Sequence, residues 1–138
     1  MIITRATEYS IRAMLHLAAR YPAEVVSKQE ICDAEGVTPA FLTKILQPLI
    51  RRGLVRSKRG VAGGFALARD PGTLTLLDVM RAVDEPLTLN LCLLEGHQCE
   101  RECTCAVHRM WAEARQRIEQ VFSSKSLREL APPAPPRS

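Results

Sequence analysis

Leu91 to His108 reads LCLLEGHQCERECTCAVH and holds four of the chain's five cysteines, Cys92, Cys99, Cys103 and Cys105, with two of its three histidines, His97 and His108, in eighteen residues. Thiolates and imidazoles gathered this closely point to a metal or redox centre. Six residues separate Cys92 from Cys99 and five separate Cys99 from Cys105; His108 stands three positions beyond Cys105. That last spacing puts both side chains on one side of a helix start. Three thiolates on a loop with one weaker ligand suit an iron–sulfur cluster. The same atoms would close a tetrahedral zinc site of three cysteines and one histidine, and without metal the thiols would be redox-reactive. Spacing alone leaves these three open. A thiol enzyme finds no support, since the chain has no Cys-x-x-Cys motif and no evident nucleophile–base pair. His97 beside Gly96 reads as a solvated loop residue, and Cys32 beside Ile31 as a small buried one.

The chain around this stretch bounds its setting. At 138 residues it accommodates one compact domain with an added helix. Aromatics are scarce, at 4%, so the core must rest on Leu, Ile, Val and Ala, a composition that leans helical. No hydrophobic signal segment precedes Arg5 and Glu8, and no apolar run reaches the length of a membrane span, so a cytoplasmic protein without a membrane partner is expected. In a reducing compartment a cysteine cluster is a metal or redox site before it is a disulfide framework. Charge is distributed unevenly. Residues 1–80 hold eleven Lys and Arg against seven Asp and Glu, whereas residues 81–138 hold eight of each. From Gly36 to Arg69 there is no acidic residue and there are seven basic ones, Lys44, Arg51, Arg52, Arg56, Lys58, Arg59 and Arg69. A field of one sign suits a polyanion such as double-stranded DNA.

The elements that must position these groups follow from periodicity and caps. Ala6 to Ala19 carries apolar residues at helical spacing, and Pro22 follows its end. Ser27-Lys28-Gln29-Glu30 has the form of a capping box, opening a short helix that Gly36 closes. Thr38-Pro39 then supplies an N-cap and a first-turn proline for a third helix. That helix sends Phe41, Leu42, Ile45, Leu46, Leu49 and Ile50 inward and leaves Ala40, Thr43, Lys44 and Gln47 outward. Two helices joined by a tight glycine turn give the helix-turn-helix outline. Pro48 predicts a bend or an early end of the third helix. Leu54–Ser57 and Phe65–Ala68 read as strands around a glycine-rich loop in which Arg56, Lys58 and Arg59 supply charge, which makes a wing. Leu76 to about Asp84 is a further helix capped by Thr75. From about Thr104 to Phe122, Val107, Trp111, Ala114, Ile118 and Val121 recur at four, three, four and three residues, an a/d seam that predicts a dimer interface. Ser126 caps a last short turn, and the proline-rich tail 131–138 is expected to be disordered. The expected fold is mainly α: a winged helix-turn-helix over 1–85 with a two-stranded wing, a cysteine-rich cluster-binding loop over 86–108 and a long C-terminal dimerisation helix over 104–124.

Taken together, TEYSIRAMLHLA, FLTKILQPLIRRGLV, RSKRGVAGGFALARDP, LTLLDVMRAVDEP and three cysteines before a long helix resemble the bacterial winged-helix iron–sulfur repressors that include IscR, NsrR and RirA. The likeness covers roughly residues 1–130 and is nearest to the IscR-like members. It implies a homodimeric repressor, not an enzyme, whose third helices enter successive major grooves of a palindromic operator while the wings touch the flanking minor grooves. Carried onto this chain, it implies DNA contacts at Ala40, Thr43, Lys44 and Arg59, with Arg59 in a narrow minor groove. It further implies Cys92, Cys99 and Cys105 as ligands of an iron–sulfur cluster, 2Fe–2S in preference to 4Fe–4S, that reports cluster supply, iron, nitric oxide or redox state. His108 matches the fourth ligand of IscR-like members. Glu8 occupies a place comparable to the acidic ligand that NsrR-like members draw from the partner subunit. Here the first cysteine gap is one residue longer than the usual pattern and Cys103 is additional, so the fourth position stands open between His108, Glu8 and Cys103.

Overall fold

A computed structural model describes residues 3–22, 25–83 and 105–133. Its elements are, in chain order, helices α1 (Arg5–Ala18), α2 (Lys28–Glu35) and α3 (Pro39–Arg51), strands β1 (Val55–Lys58) and β2 (Gly64–Leu67), a 3₁₀ turn (Pro71–Thr73), and helices α4 (Leu76–Val83), α5 (Ala106–Phe122) and α6 (Leu127–Leu130).

Each early helix begins on a side-chain cap. Thr4 accepts from the Thr7 amide, Ser27 from that of Glu30 and Thr38 from that of Phe41, at 3.1, 3.1 and 3.2 Å. These bonds satisfy amides that have no partner within a first helical turn. Gly36 ends α2 in the left-handed region at φ 67°, which an L side chain rarely adopts. The chain thereby reverses at once into Thr38 and Pro39, completing the helix-turn-helix.

Met14 and Leu17 of α1, Ile31 of α2, Leu42, Leu46 and Leu49 of α3, Leu74 and Val79 around α4, and Leu127 of α6 are all buried in one core. Helix α1 is its axis, packing against α2, α3, α4, α6 and β2. Between α1 and α2 a polar seam adds to this core. Arg20 pairs with Glu30, whose second oxygen lies 3.7 Å from His16 Nε2. Helix α6 is fastened beside the start of α4: Ser126 faces Thr75 across a backbone bridge, Leu127 donates to the Leu74 carbonyl at 2.8 Å, and Arg128 pairs with Asp70. A full capping box at Ser126 and Glu129 holds this four-residue helix together.

Helix α3 does not end at Pro48 but continues to Arg51. The ring removes one amide donor, the one that would have bonded the Lys44 carbonyl four residues back. Only one turn of helix remains beyond the proline, so a single bond of the helical ladder is lost.

Leu46 is fully buried at the centre of the core, and truncating it leaves a cavity that rigid neighbours fill poorly. Leu46→Ala is expected to cost about 2–5 kcal/mol of folding stability, read as a lower urea midpoint with an unchanged slope; an unshifted midpoint contradicts this core assignment.

Candidate nucleic-acid interface

The candidate surface is built from α3 and the wing. Ala40, Lys44 and Gln47 of α3 are exposed, while Thr43 is half-buried and its hydroxyl donates to the Pro39 carbonyl at 3.0 Å. That bond consumes the hydroxyl proton and leaves oxygen lone pairs and a methyl group for an incoming surface. Arg56 and Lys58 on β1, and Arg59 immediately beyond it, are exposed too.

The wing is a two-stranded antiparallel sheet in which Val55 pairs with Leu67, Arg56 with Ala66, Ser57 with Phe65 and Lys58 with Gly64. Both strands start one residue away from the sequence expectation. Its root is apolar, with Val55, Phe65 and Leu67 in the core, and its tip is wholly solvent-exposed at Val61. A backbone bridge holds the base of the wing to the segment before α2. Val26 donates to the Phe65 carbonyl and Phe65 donates to the Val26 carbonyl, each at 2.8 Å. This approach requires a residue without a side chain at position 64, since a Cβ there would stand 2.0 Å from the Val26 carbonyl oxygen.

All seven cations between Gly36 and Arg69 are exposed. Among the described residues none of them is paired with a carboxylate. The exposed ion pairs lie elsewhere, on α1, on α5 and between Arg128 and Asp70. Helix α3 and the wing therefore present an uncompensated positive field, the electrostatic form that a phosphate backbone neutralises.

The second group of sequence-derived residues divides. Cys92, Cys99 and Cys103 fall outside the described residues, as do most of the 86–108 stretch and positions 134–138 of the tail. Cys105 is half-buried at the N-cap of α5, where its side chain makes no capping hydrogen bond, and His108 is half-buried one turn on. Glu8 lies on the exposed side of α1, 3.0 Å from Arg12. Among the described residues no three His, Cys, Asp or Glu side chains gather as a metal site. Cys32 is buried in the core, where desolvation first and the neighbouring Asp33 carboxylate second push its thiol above the ordinary range despite Lys28. It is thus a protonated packing residue, as its sequence neighbours suggested.

Helix α5 buries none of its residues, although Ala114 and Ile118 are half-covered and Glu119 lies 3.6 Å from Arg81 of α4. Val107, Met110, Trp111 and Val121 remain 49, 69, 38 and 67% exposed. These residues recur at helical spacing with Ala114 and Ile118 and so form one apolar stripe. Met110 was missed in the sequence because the heptad count reserved one position per turn, yet it lies three residues after Val107 and shares its face.

A helix-turn-helix followed by a charged wing defines a winged-helix DNA-binding regulator. The Rrf2 family model, described as an iron-dependent transcriptional regulator, matches residues 3–133, and the chain belongs to that family. Its relatives are transcription regulators, and the chain is accordingly a regulator, not an enzyme. It is 32% identical over 131 residues to the HTH-type transcriptional regulator IscR of Xenorhabdus nematophila, spanning 94% of this chain and 79% of that one. It is 30% identical over 132 residues to a putative HTH-type transcriptional regulator of Aquifex aeolicus, spanning 94% and 91%. Among solved structures it resembles CymR, the global cysteine regulator of B. subtilis, with a TM-score of 0.77, 25% identity and 95% and 96% coverage. It also resembles T. potens IscR, with a TM-score of 0.74, 25% identity and 94% and 85% coverage. No described helix is long and apolar enough to cross a membrane.

Gly64→Ala is expected to break the Val26–Phe65 bridge while sparing the helical core. Amide exchange of Val26 and Phe65 should accelerate relative to that of Leu46; equal protection in the variant and the parent would show that the close approach is dispensable.

Proposed function

We propose that the chain is a homodimeric, cytoplasmic repressor that reads a palindromic operator and senses iron–sulfur status through a cluster held by Cys92, Cys99 and Cys105. The observation that carries the DNA-reading part is the run of exposed cations along α3 and the wing, none compensated by a carboxylate among the described residues. In this reading Ala40, Thr43 and Lys44 face base edges and backbone in the major groove. Arg56 and Lys58 contact phosphates, and Arg59 enters the minor groove, where narrowness and negative potential favour arginine.

Dimerisation is supported by the stripe on α5, four of whose large apolar side chains stay exposed in the single chain. Exposed apolar stripes at heptad spacing are stabilised by burial against a second copy.

The donor chemistry at the start of α5 fits a cluster. Cys105 offers a half-buried sulfur not spent on capping the helix, and His108 follows on the same side one turn later. His108 is the proposed fourth ligand, with Glu8 from the partner subunit and Cys103 as the rivals. The kinship with IscR supports an iron–sulfur cluster, and the proposed type is 2Fe–2S. When bound, such a cluster supplies an inorganic centre whose integrity and oxidation state follow the iron and redox condition of the cell. Because Cys105 stands at the N-cap position of the helix that bears the dimer stripe, a change in how its sulfur is held alters the start of α5 and through it the spacing of the two α3 helices, a coupling between two sites.

Protein purified without oxygen is expected to contain iron and acid-labile sulfide and to absorb in the visible, and replacing Cys92, Cys99 and Cys105 together by Ala should abolish all three. Zinc without sulfide would instead establish a structural metal site. Metal-free protein whose thiols oxidise reversibly would place it nearer to a cluster-free, cysteine-based sensor. For the dimer, Trp111→Glu puts a charge into the stripe and is expected to convert the sedimenting species from two chains to one, with loss of operator binding at the same protein concentration; a variant that still sediments as a dimer would remove α5 from the interface.

A further inference from the structure

We propose that Arg5 is a DNA-phosphate contact, pre-positioned by a cation–aromatic stack at the N-terminal end of α3. The proposal rests on the reading that α3 and the wing face duplex DNA, and it adds a residue from a different element to that surface.

Arg5 is the first residue of α1 and is exposed. A cation in a first turn opposes the helix dipole, unlike Glu8 in the same turn, so its place is not explained by the stability of α1. Its guanidinium carbon lies 5.2 Å from the centroid of Tyr9 and 6.0 Å from that of Phe41. Those two rings meet edge to face, 5.8 Å apart at 85°. A guanidinium resting on aromatic rings is attracted to their faces and keeps its N–H donors directed outward in its own plane, where a phosphate is bound. Arg12 also sits near Tyr9, at 5.5 Å, but Glu8 neutralises it at 3.0 Å. Among the described residues no carboxylate pairs with Arg5.

The location decides what this charge meets. Phe41 is the third residue of α3, next to Ala40, and its amide is capped by Thr38. In a helix-turn-helix the N-terminal residues of the second helix approach the base edges, so groups alongside that end lie against the phosphate backbone that borders the groove. Tyr9 and Phe41 therefore hold Arg5 where a phosphodiester passes. A contact of this kind carries affinity without sequence preference.

The test follows the anisotropy of a fluorescein-labelled mixed-sequence duplex of roughly thirty base pairs, about three helical turns, titrated with the full-length protein over a series of salt concentrations. Arg5→Met retains cover on the rings and removes the charge; Arg5→Lys retains the charge. Arg5→Met is expected to lower the slope of log affinity against log salt by about one for each bound chain, with an unchanged melting midpoint, and Arg5→Lys to restore the slope. An unchanged slope in Arg5→Met beside a reduced slope in Arg59→Ala overturns the role of Arg5 alone. A lowered melting midpoint with an unchanged slope makes Arg5 a packing residue and likewise overturns it. An unchanged slope in Arg5→Met, Lys44→Ala and Arg59→Ala, or no binding by the parent protein, overturns the DNA-facing assignment of α3 and the wing, and the Arg5 proposal with it.

Discussion

The two hydrogen bonds between Val26 and Phe65 fix the wing to the body of the domain, and they depend on the missing side chain at Gly64. A two-stranded hairpin is marginally stable alone. Here it gains a third backbone partner at its base and a hydrophobic root in Val55, Phe65 and Leu67. The charged end of the wing is therefore carried by a rigid base, and the orientation of Arg56, Lys58 and Arg59 relative to α3 follows from a contact made well away from them. Helix α1 plays the corresponding part for α3, which it supports from behind while exposing its own first turn beside Phe41.

Helix α5 stands apart from this construction. It touches α4, buries no residue and ends at a loop that leads into α6, which is firmly seated between α1 and the turn at Asp70. The core thus holds the C-terminal side of α5 through α6 while its N-terminal end carries Cys105 and His108. A helix seated through α6 at its C-terminal side and bearing candidate ligands near its N-terminus suits the coupling proposed for it, since local opening is easiest where few apolar groups are buried.

Much of this was legible in the sequence because it is encoded locally. Ser27, Thr38, Thr75 and Ser126 announce their helices through hydroxyl caps, and those hydroxyl bonds form, although the Glu30 carboxylate turns to Arg20 and His16 and does not close the box expected at Ser27. Gly36 marks the turn and Cys32 the buried face. Pro48 misled in part, because a proline this near the end of a helix removes only one bond of the ladder, and α3 runs on for three residues. The wing strands shifted by one residue because the bridge at Val26, distant in sequence, sets where pairing begins. The stack of Arg5 on Tyr9 and Phe41 had no sequence signal, since its members come from two helices that meet only in the folded core. For the candidate cluster the sequence offers candidate donors, of which the structure describes Cys105, His108 and Glu8.

The division of the wing into an anchored base and a free tip has a bearing on engineering. Gly64 and Phe65 cannot be altered without disturbing the segment before α2, whereas Val61 and Ala62 touch no core residue and stand in solvent. Val61 and Ala62 are consequently the positions at which the tip can be varied, while Gly60, with its φ of 108°, Gly63, where a Cβ would stand 2.2 Å from the Lys58 carbonyl oxygen, and the base that aims the wing are left as they are.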